Sequence, residues 1–131
     1  MAIRVKHKVN VRVAEDTDMA NLLFAPSDDL AEVVIDSYER AVGGTFAIDA
    51  DDTQTLPLGD VTLPRGLYLR VDADCKVNVN AMGDLQLRRA STLVGTTAKF
   101  FMEGEITSVV ITSPTTAAVR GAWCVWGDAV V

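Results

Sequence analysis

The sequence predicts an all-β fold: an antiparallel β-sandwich or jelly-roll-like barrel of about eight strands. Three observations predict it. The stretch Arg65–Arg89, RGLYLRVDADCKVNVNAMGDLQLRR, alternates aliphatic and polar residues in three short runs, and successive side chains on a strand point to opposite faces. Residues 2–13 alternate without a break, with Ile3, Val5, His7, Val9, Val11 and Val13 on one face and Arg4, Lys6, Lys8, Asn10 and Arg12 on the other. Strand-like runs recur roughly every 8–12 residues between Gly-, Pro-, Asp-, Ser- and Thr-rich turns, which is the spacing of a sandwich or small barrel.

Taken in order, residues 2–13 read as a strand with one apolar face. Residues 14–31 are polar and irregular apart from Met19 and Leu22-Leu23-Phe24, an apolar knot that can plug one end of a core. Ser27-Asp28-Asp29 suits a helix start, since Ser27 can cap it and the acids favour its positive end. Leu30, Val34, Tyr38 and Ala41 have helical spacing, but Val33-Val34-Ile35 is a β-branched run. The prediction is therefore a strand over 32–40, with at most one short helix near residues 27–40. Gly43-Gly44 predicts a turn before a strand Thr45–Ile48, and Asp49–Thr53 an acidic loop. Pro64-Arg65-Gly66 predicts a turn into the Arg65–Arg89 meander. There, Leu67, Leu69 and Val71, then Cys75, Val77 and Val79, then Leu85 and Leu87, form the apolar faces. The connectors Asp72–Asp74 and Ala81–Asp84 are short, which predicts three neighbouring antiparallel strands. Lys99–Met102 is apolar on both faces and predicts a central strand. Ile106–Thr112 and Ala117–Trp126 complete the set.

The chain has 131 residues, 49% hydrophobic and 23% charged, which fits one globular domain and excludes a disordered tail. The expected organisation is a single sandwich over 1–131 with a basic N-terminal strand or arm at 1–13. No apolar run approaches the ~20 residues of a membrane-spanning helix. The N-terminus lacks the apolar core of a secretory leader, so the expected place of synthesis is a cytoplasm, with exit by lysis or within a particle. The net charge is −6, unevenly spread. Residues 1–13 carry Arg4, Lys6, Lys8 and Arg12 and no acid, whereas twelve acids between 14 and 63 face Arg40 alone. This polarity suggests internal or intermolecular complementarity, and the acidic bulk disfavours nucleic acid as a partner. Two readings of the basic strand stand side by side. It is a lysine-protected sheet edge, or an arm that adds to a neighbouring subunit's sheet through Arg4, Lys6, Lys8 and Arg12.

Catalytic chemistry finds little support. His7 is the one histidine, which removes most zinc sites and histidine-dependent triads. Cys75 and Cys124 are too far apart for a C-x-x-C motif; two buried thiols are expected, with a disulfide as the alternative. Glu103 and Glu105 would share a strand face only if the strand ran through Gly104, and no cleft is implied. Asp49-Ala50-Asp51-Asp52 and Asp72-Ala73-Asp74 offer clustered carboxylates of the kind calcium takes, yet Asp is also a turn residue. Trp123, Trp126, Tyr38 and Tyr68 could stack on sugars but are scattered along the chain. No catalytic residue, metal or cofactor is assigned.

Several segments together resemble small all-β virion structural proteins of tailed bacteriophages. They are Gly43-Gly44-Thr45-Phe46, Leu56-Pro57-Leu58-Gly59-Asp60-Val61, Arg65-Gly66-Leu67-Tyr68-Leu69, Cys75-Lys76-Val77, Leu85-Gln86-Leu87 and Cys124-Val125-Trp126-Gly127-Asp128. The resemblance, from about residue 3 to 128, lies in length and style. It implies a capsid decoration (cement) protein or a tail-associated part; a carbohydrate- or receptor-binding module is the alternative reading. Such proteins are compact sandwiches that oligomerise, often as trimers, and bind the major coat protein or another virion protein. The resemblance also implies location in the virion, assembled in the host cytoplasm, and it carries no catalytic residues.

Overall fold

The period-two alternation becomes strands throughout. A computed structural model describes residues 3–8, 13–14, 22–24, 33–59, 61–89, 93 and 95–128, and no helix occurs among them. The strands are β1 (Ile3–Lys8), β2 (Val13–Ala14), β3 (Leu22–Phe24), β4 (Val33–Tyr38), β5 (Arg40–Ile48), β6 (Thr53–Thr55), β7 (Leu63–Val71), β8 (Cys75–Val79), β9 (Asp84–Leu87), β10 (Ala98–Glu103), β11 (Val109–Thr112) and β12 (Val119–Asp128). The chain divides into two compact units, Ala2–Ser37 and Tyr38–Val131. In the first, β1 pairs with β4 and β2 with β3.

The second unit is an eight-stranded β-sandwich. One antiparallel sheet has the order β10-β7-β12-β5 and the other β6-β11-β8-β9. Their inward faces share one core. Leu67, Leu69 and Val71 from β7 and Val119 and Val125 from β12 meet Val109 and Ile111 from β11, all at 0% exposure, with Cys75 and Val77 of β8 beside them. Each such aliphatic side chain contributes roughly 1.5–3 kcal/mol by leaving water. The all-β sandwich expected from the sequence is thus the fold of this unit, and Val33–Tyr38 is strand rather than helix.

Several local expectations are corrected. Asp72–Asp74 does not join neighbouring strands: β7 lies in one sheet and β8 in the other. Both strands turn their apolar residues to the same core, so the connector must cross between the sheets. Asp72 makes that corner rigid, its N–H donating to the Arg120 carbonyl at 2.9 Å and its carboxylate accepting from the Arg120 N–H at 2.8 Å. Only β8 and β9 form the expected hairpin.

Gly43-Gly44 is not a turn but lies inside β5, opposite Cys124 and Trp123. A Cβ on Gly43 would sit 2.5 Å from the Trp123 carbonyl oxygen, so glycine permits close strand approach rather than a bend. Pro64-Arg65-Gly66 likewise lies within β7, at a register shift where Gly66 faces Trp126 and Pro64 faces Gly127. A bulge is one of the few interior places that tolerates proline. Lys99–Met102 is in an edge strand, not a central one, with Phe101 37% exposed. Ile106 is buried but precedes β11, because Thr107 is held by a side chain instead of a ladder: its N–H donates to Asn80 Oδ1 at 2.6 Å.

Candidate partner-binding surface

The strand registers place the outward side chains of the first sheet in a grid. Glu103, Gly66, Trp126 and Ala41 form one row, and Phe101, Tyr68, Cys124 and Gly43 the next. Lys99, Arg70, Ala122 and Thr45 form a third, followed by Arg120 and Ala47. The β5 edge of this face is built of small side chains, with Cys124 and Ala122 of β12 beside them. Its middle is aromatic and its far end basic.

The aromatic part is assembled by a glycine. A Cβ on Gly66 would lie 2.1 Å from the Trp126 ring, so the indole lies over the bare backbone of β7 and is only 5% exposed. Phe101 meets it at 6.0 Å between ring centroids with a 37° tilt, within the range of favourable aromatic pairs. Tyr68 stands directly opposite Phe101. Trp123, by contrast, faces inward and belongs to the core. The scattered aromatics of the sequence therefore split: Trp126, Tyr68 and the unanticipated Phe101 come together, and Trp123 does not join them. Period-two counting already separates Trp126 from Trp123, but which face a neighbouring strand leaves open is a tertiary fact.

The basic end holds Lys99, Arg70 and Arg120, all exposed. Arg70 and Arg120 line a shallow depression of about 290 Å³ together with Thr45, Asp72, Thr97 and Ala122. At this end three cations outnumber the one carboxylate, Asp72, which accepts from the Arg120 N–H, leaving a local positive field on an acidic protein. No local sequence pattern announces it, because the three lie on three different strands.

Of the residues assigned to the basic arm, Arg4 is exposed on β1. Lys6 and Lys8 lie in the same strand, which pairs with β4 of its own chain; Arg12 lies outside the described residues. His7 is also in β1.

The outer face of the second sheet differs. Thr55, Val110, Asn78 and Asp84 form one row and Thr53, Thr112, Lys76 and Gln86 the other. The carboxylate clusters serve the backbone. Asp74 accepts from the Arg89 N–H at 2.7 Å, and the Asp49–Asp52 loop is gathered by Ser113, whose hydroxyl donates to the Asp49 carbonyl and accepts from the Asp52 N–H at 2.9 Å. Among the described residues no group of three His, Cys, Asp or Glu side chains is placed to hold a metal. Gly104, at φ 144°, ends β10 between Glu103 and Glu105, so the two carboxylates do not share a strand.

Both cysteines are free. Cys75 is buried in the core, where desolvation first and then the Asp74 and Asp72 carboxylates push its thiol from 9.0 to about 11. Cys124 lies on the outer face of the first sheet, half-buried, and desolvation raises its thiol too. Their positions on opposite faces explain why no disulfide forms. Comparison with family models, curated proteins and solved structures finds no match.

Proposed function

We propose that this protein is a non-enzymatic structural protein of a phage virion, of the capsid decoration type, that works as a homo-oligomer and binds the coat lattice. The observation that carries the reading is the contrast between the two outer faces of the sandwich. Apart from Val110, the second sheet turns hydroxyls, amides and single charges to water. The first presents small side chains, an aromatic group and a basic end, a composition suited to close contact with another protein. Ala41, Gly43, Thr45 and Ala122 let a partner surface approach the sheet, Phe101 and Tyr68 supply apolar area, and Lys99, Arg70 and Arg120 would steer an acidic partner.

Size adds a constraint. Four strands span roughly 19 Å and nine residues roughly 30 Å, giving a face of somewhat under ~600 Å². A standard interface buries about 800 Å² per partner, and a second contact would bring the total to that size. The basic strand with Arg4, Lys6, Lys8 and Arg12 is the candidate for it.

The test is co-sedimentation with empty coat shells. Pelleting of the protein with shells, weakened by raised salt, supports the reading; a protein that stays in the supernatant at every salt concentration refutes it. Phe101, 37% exposed, with Tyr68 beside it supports a second reading, a tail-associated or carbohydrate-binding module, because exposed aromatic faces stack on sugars. Glycan binding lost in Phe101→Ala, with no affinity for shells, would favour it.

A further inference from the structure

The sandwich has four edge strands, and three carry the features by which natural sheets resist edge pairing. β6 is only three residues long. β9 has four residues and opens with Asp84. β10 carries Lys99 and Glu103. The fourth, β5, is nine residues long. It has no proline, and after Arg40 at its first position it has no charge. Its register with β12 runs unbroken from Arg40 to Ile48. Among the described residues, β5 is paired along one side only, leaving a straight row of backbone donors and acceptors on the other.

We infer that β5 pairs antiparallel with β5 of a second copy across a two-fold axis centred on Gly44. The occupant follows from the strand itself. The register that pairs all of Arg40–Ile48 with itself must centre on residue 44, its midpoint. That register also keeps both apolar inward faces on the same side, because opposed residues then have the same parity. It sets Ala41 against the partner's Ala47, Gly43 against the partner's Thr45 and Val42 against the partner's Phe46. The one charge, Arg40, meets the partner's Ile48, so no like charges oppose. At the axis Gly44 meets its own copy, and nothing lies within 4 Å of a Cβ placed there. The two first sheets then join into one eight-stranded sheet, an isologous contact. This association stands apart from the virion reading, and shell binding is scored separately.

The experiment is sedimentation equilibrium on the full chain and on Gly44→Asp and Gly44→Lys. The wild type is expected at twice the 14.1 kDa chain mass. Each variant alone should be monomeric, since like charges meet at the axis, and an equal mixture should recover the dimer. A monomeric or trimeric wild type, or a Gly44→Asp protein that still dimerises, overturns the proposal. Should either variant lose its strand signature by circular dichroism, Ala41→Cys/Ala47→Cys in a Cys124→Ser background decides instead. Residues 41 and 47 are ~20 Å apart within one strand, so an internal bond is impossible. A covalent dimer on oxidation confirms the register, and its absence refutes it.

Discussion

The two sheets of the sandwich share a core but are held together differently. In the first, β5, β7 and β12 have nine, nine and ten residues, long enough for ladder hydrogen bonds and core burial to define them. In the second, β6, β11, β8 and β9 have three, four, five and four residues, and side chains reaching from loops complete the order. Asn80 accepts from the Thr107 N–H at 2.6 Å and donates to the Glu105 carbonyl at 2.7 Å. Gln86 donates to the Cys75 carbonyl at 3.0 Å. Ser113, 4% exposed, ties the Asp49–Asp52 loop. A sheet fixed by its own backbone can spend its outer face on small and aromatic side chains. One fixed by polar clamps keeps most of that face polar, Val110 excepted.

The sharpest way to break the first sheet is therefore steric. A Cβ on Gly121 would lie 2.1 Å from the Arg70 carbonyl oxygen and 2.8 Å from the Phe46 ring. Backbone cannot swing aside as a side-chain end can, so Gly121→Ala should cost about 3 kcal/mol or more, at or beyond the upper end for overpacking. Denaturant unfolding followed by tryptophan fluorescence measures it; a loss under 1 kcal/mol would contradict the close approach. In the second sheet the matching target is a clamp. Asn80→Ala removes three side-chain bonds to the 105–107 segment and places alanine at φ 60°. About 1–2 kcal/mol is expected, from the lost hydrogen bonds at an exposed site and the left-handed conformation together. Thr107→Ala, which keeps the backbone N–H, should cost much less, and equal losses would show that the Asn80 side chain is not the clamp.

This division also explains what could be read in advance. The apolar faces of β7, β8 and β12 were legible because inward residues alternate strictly: Leu67, Leu69 and Val71, Cys75 and Val77, Val119, Trp123 and Val125 are all buried. Sheet membership was not, since a three-residue connector such as Asp72–Asp74 can close a hairpin or turn a corner, and only the partner Arg120, far along the chain, decides. Glycine misled for a related reason. Gly43, Gly44 and Gly66 look like punctuation in sequence, yet they lie inside strands, and Gly43 and Gly66 leave room for the Trp123 backbone and the Trp126 ring. The basic end of the candidate surface combines Lys99, Arg70 and Arg120 from three strands, so no local pattern could announce it.

A smaller effect distinguishes the two thiols. Folding holds Cys75 neutral up to about pH 11, whereas an unfolded chain ionises it near 9.0. A group whose folded pKa is raised stabilises fully below its unfolded pKa and loses that contribution as pH climbs through the folded one. Stability should therefore decline between pH 9 and about 11. Cys75→Ala should flatten much of that decline, and Cys124→Ser, at a half-buried site lacking the two carboxylates, should flatten it less. Unfolding midpoints at pH 8, 9.5 and 10.5 make the comparison; identical slopes in both variants would rule out the buried thiol as the cause.

The smallest effect on stability is expected where the effect on binding is largest. Lys99, Arg70 and Arg120 are exposed and carry no core packing, so Lys99→Glu/Arg70→Glu should shift stability by no more than about 0.5 kcal/mol, as surface substitutions usually do. If the first sheet is the partner face, the same pair should abolish salt-sensitive pelleting with coat shells, because attraction at a charged rim becomes repulsion. Lys6→Glu/Lys8→Glu tests the basic strand in parallel and should weaken pelleting only in part if that strand supplies the second contact. The two double variants thus divide the interface between sheet and strand. Full loss in the strand variant with none in the sheet variant would move the binding surface to residues 3–8. Loss in neither would remove charge from the recognition altogether and leave the aromatic group, Phe101 and Tyr68, as the surface to substitute next.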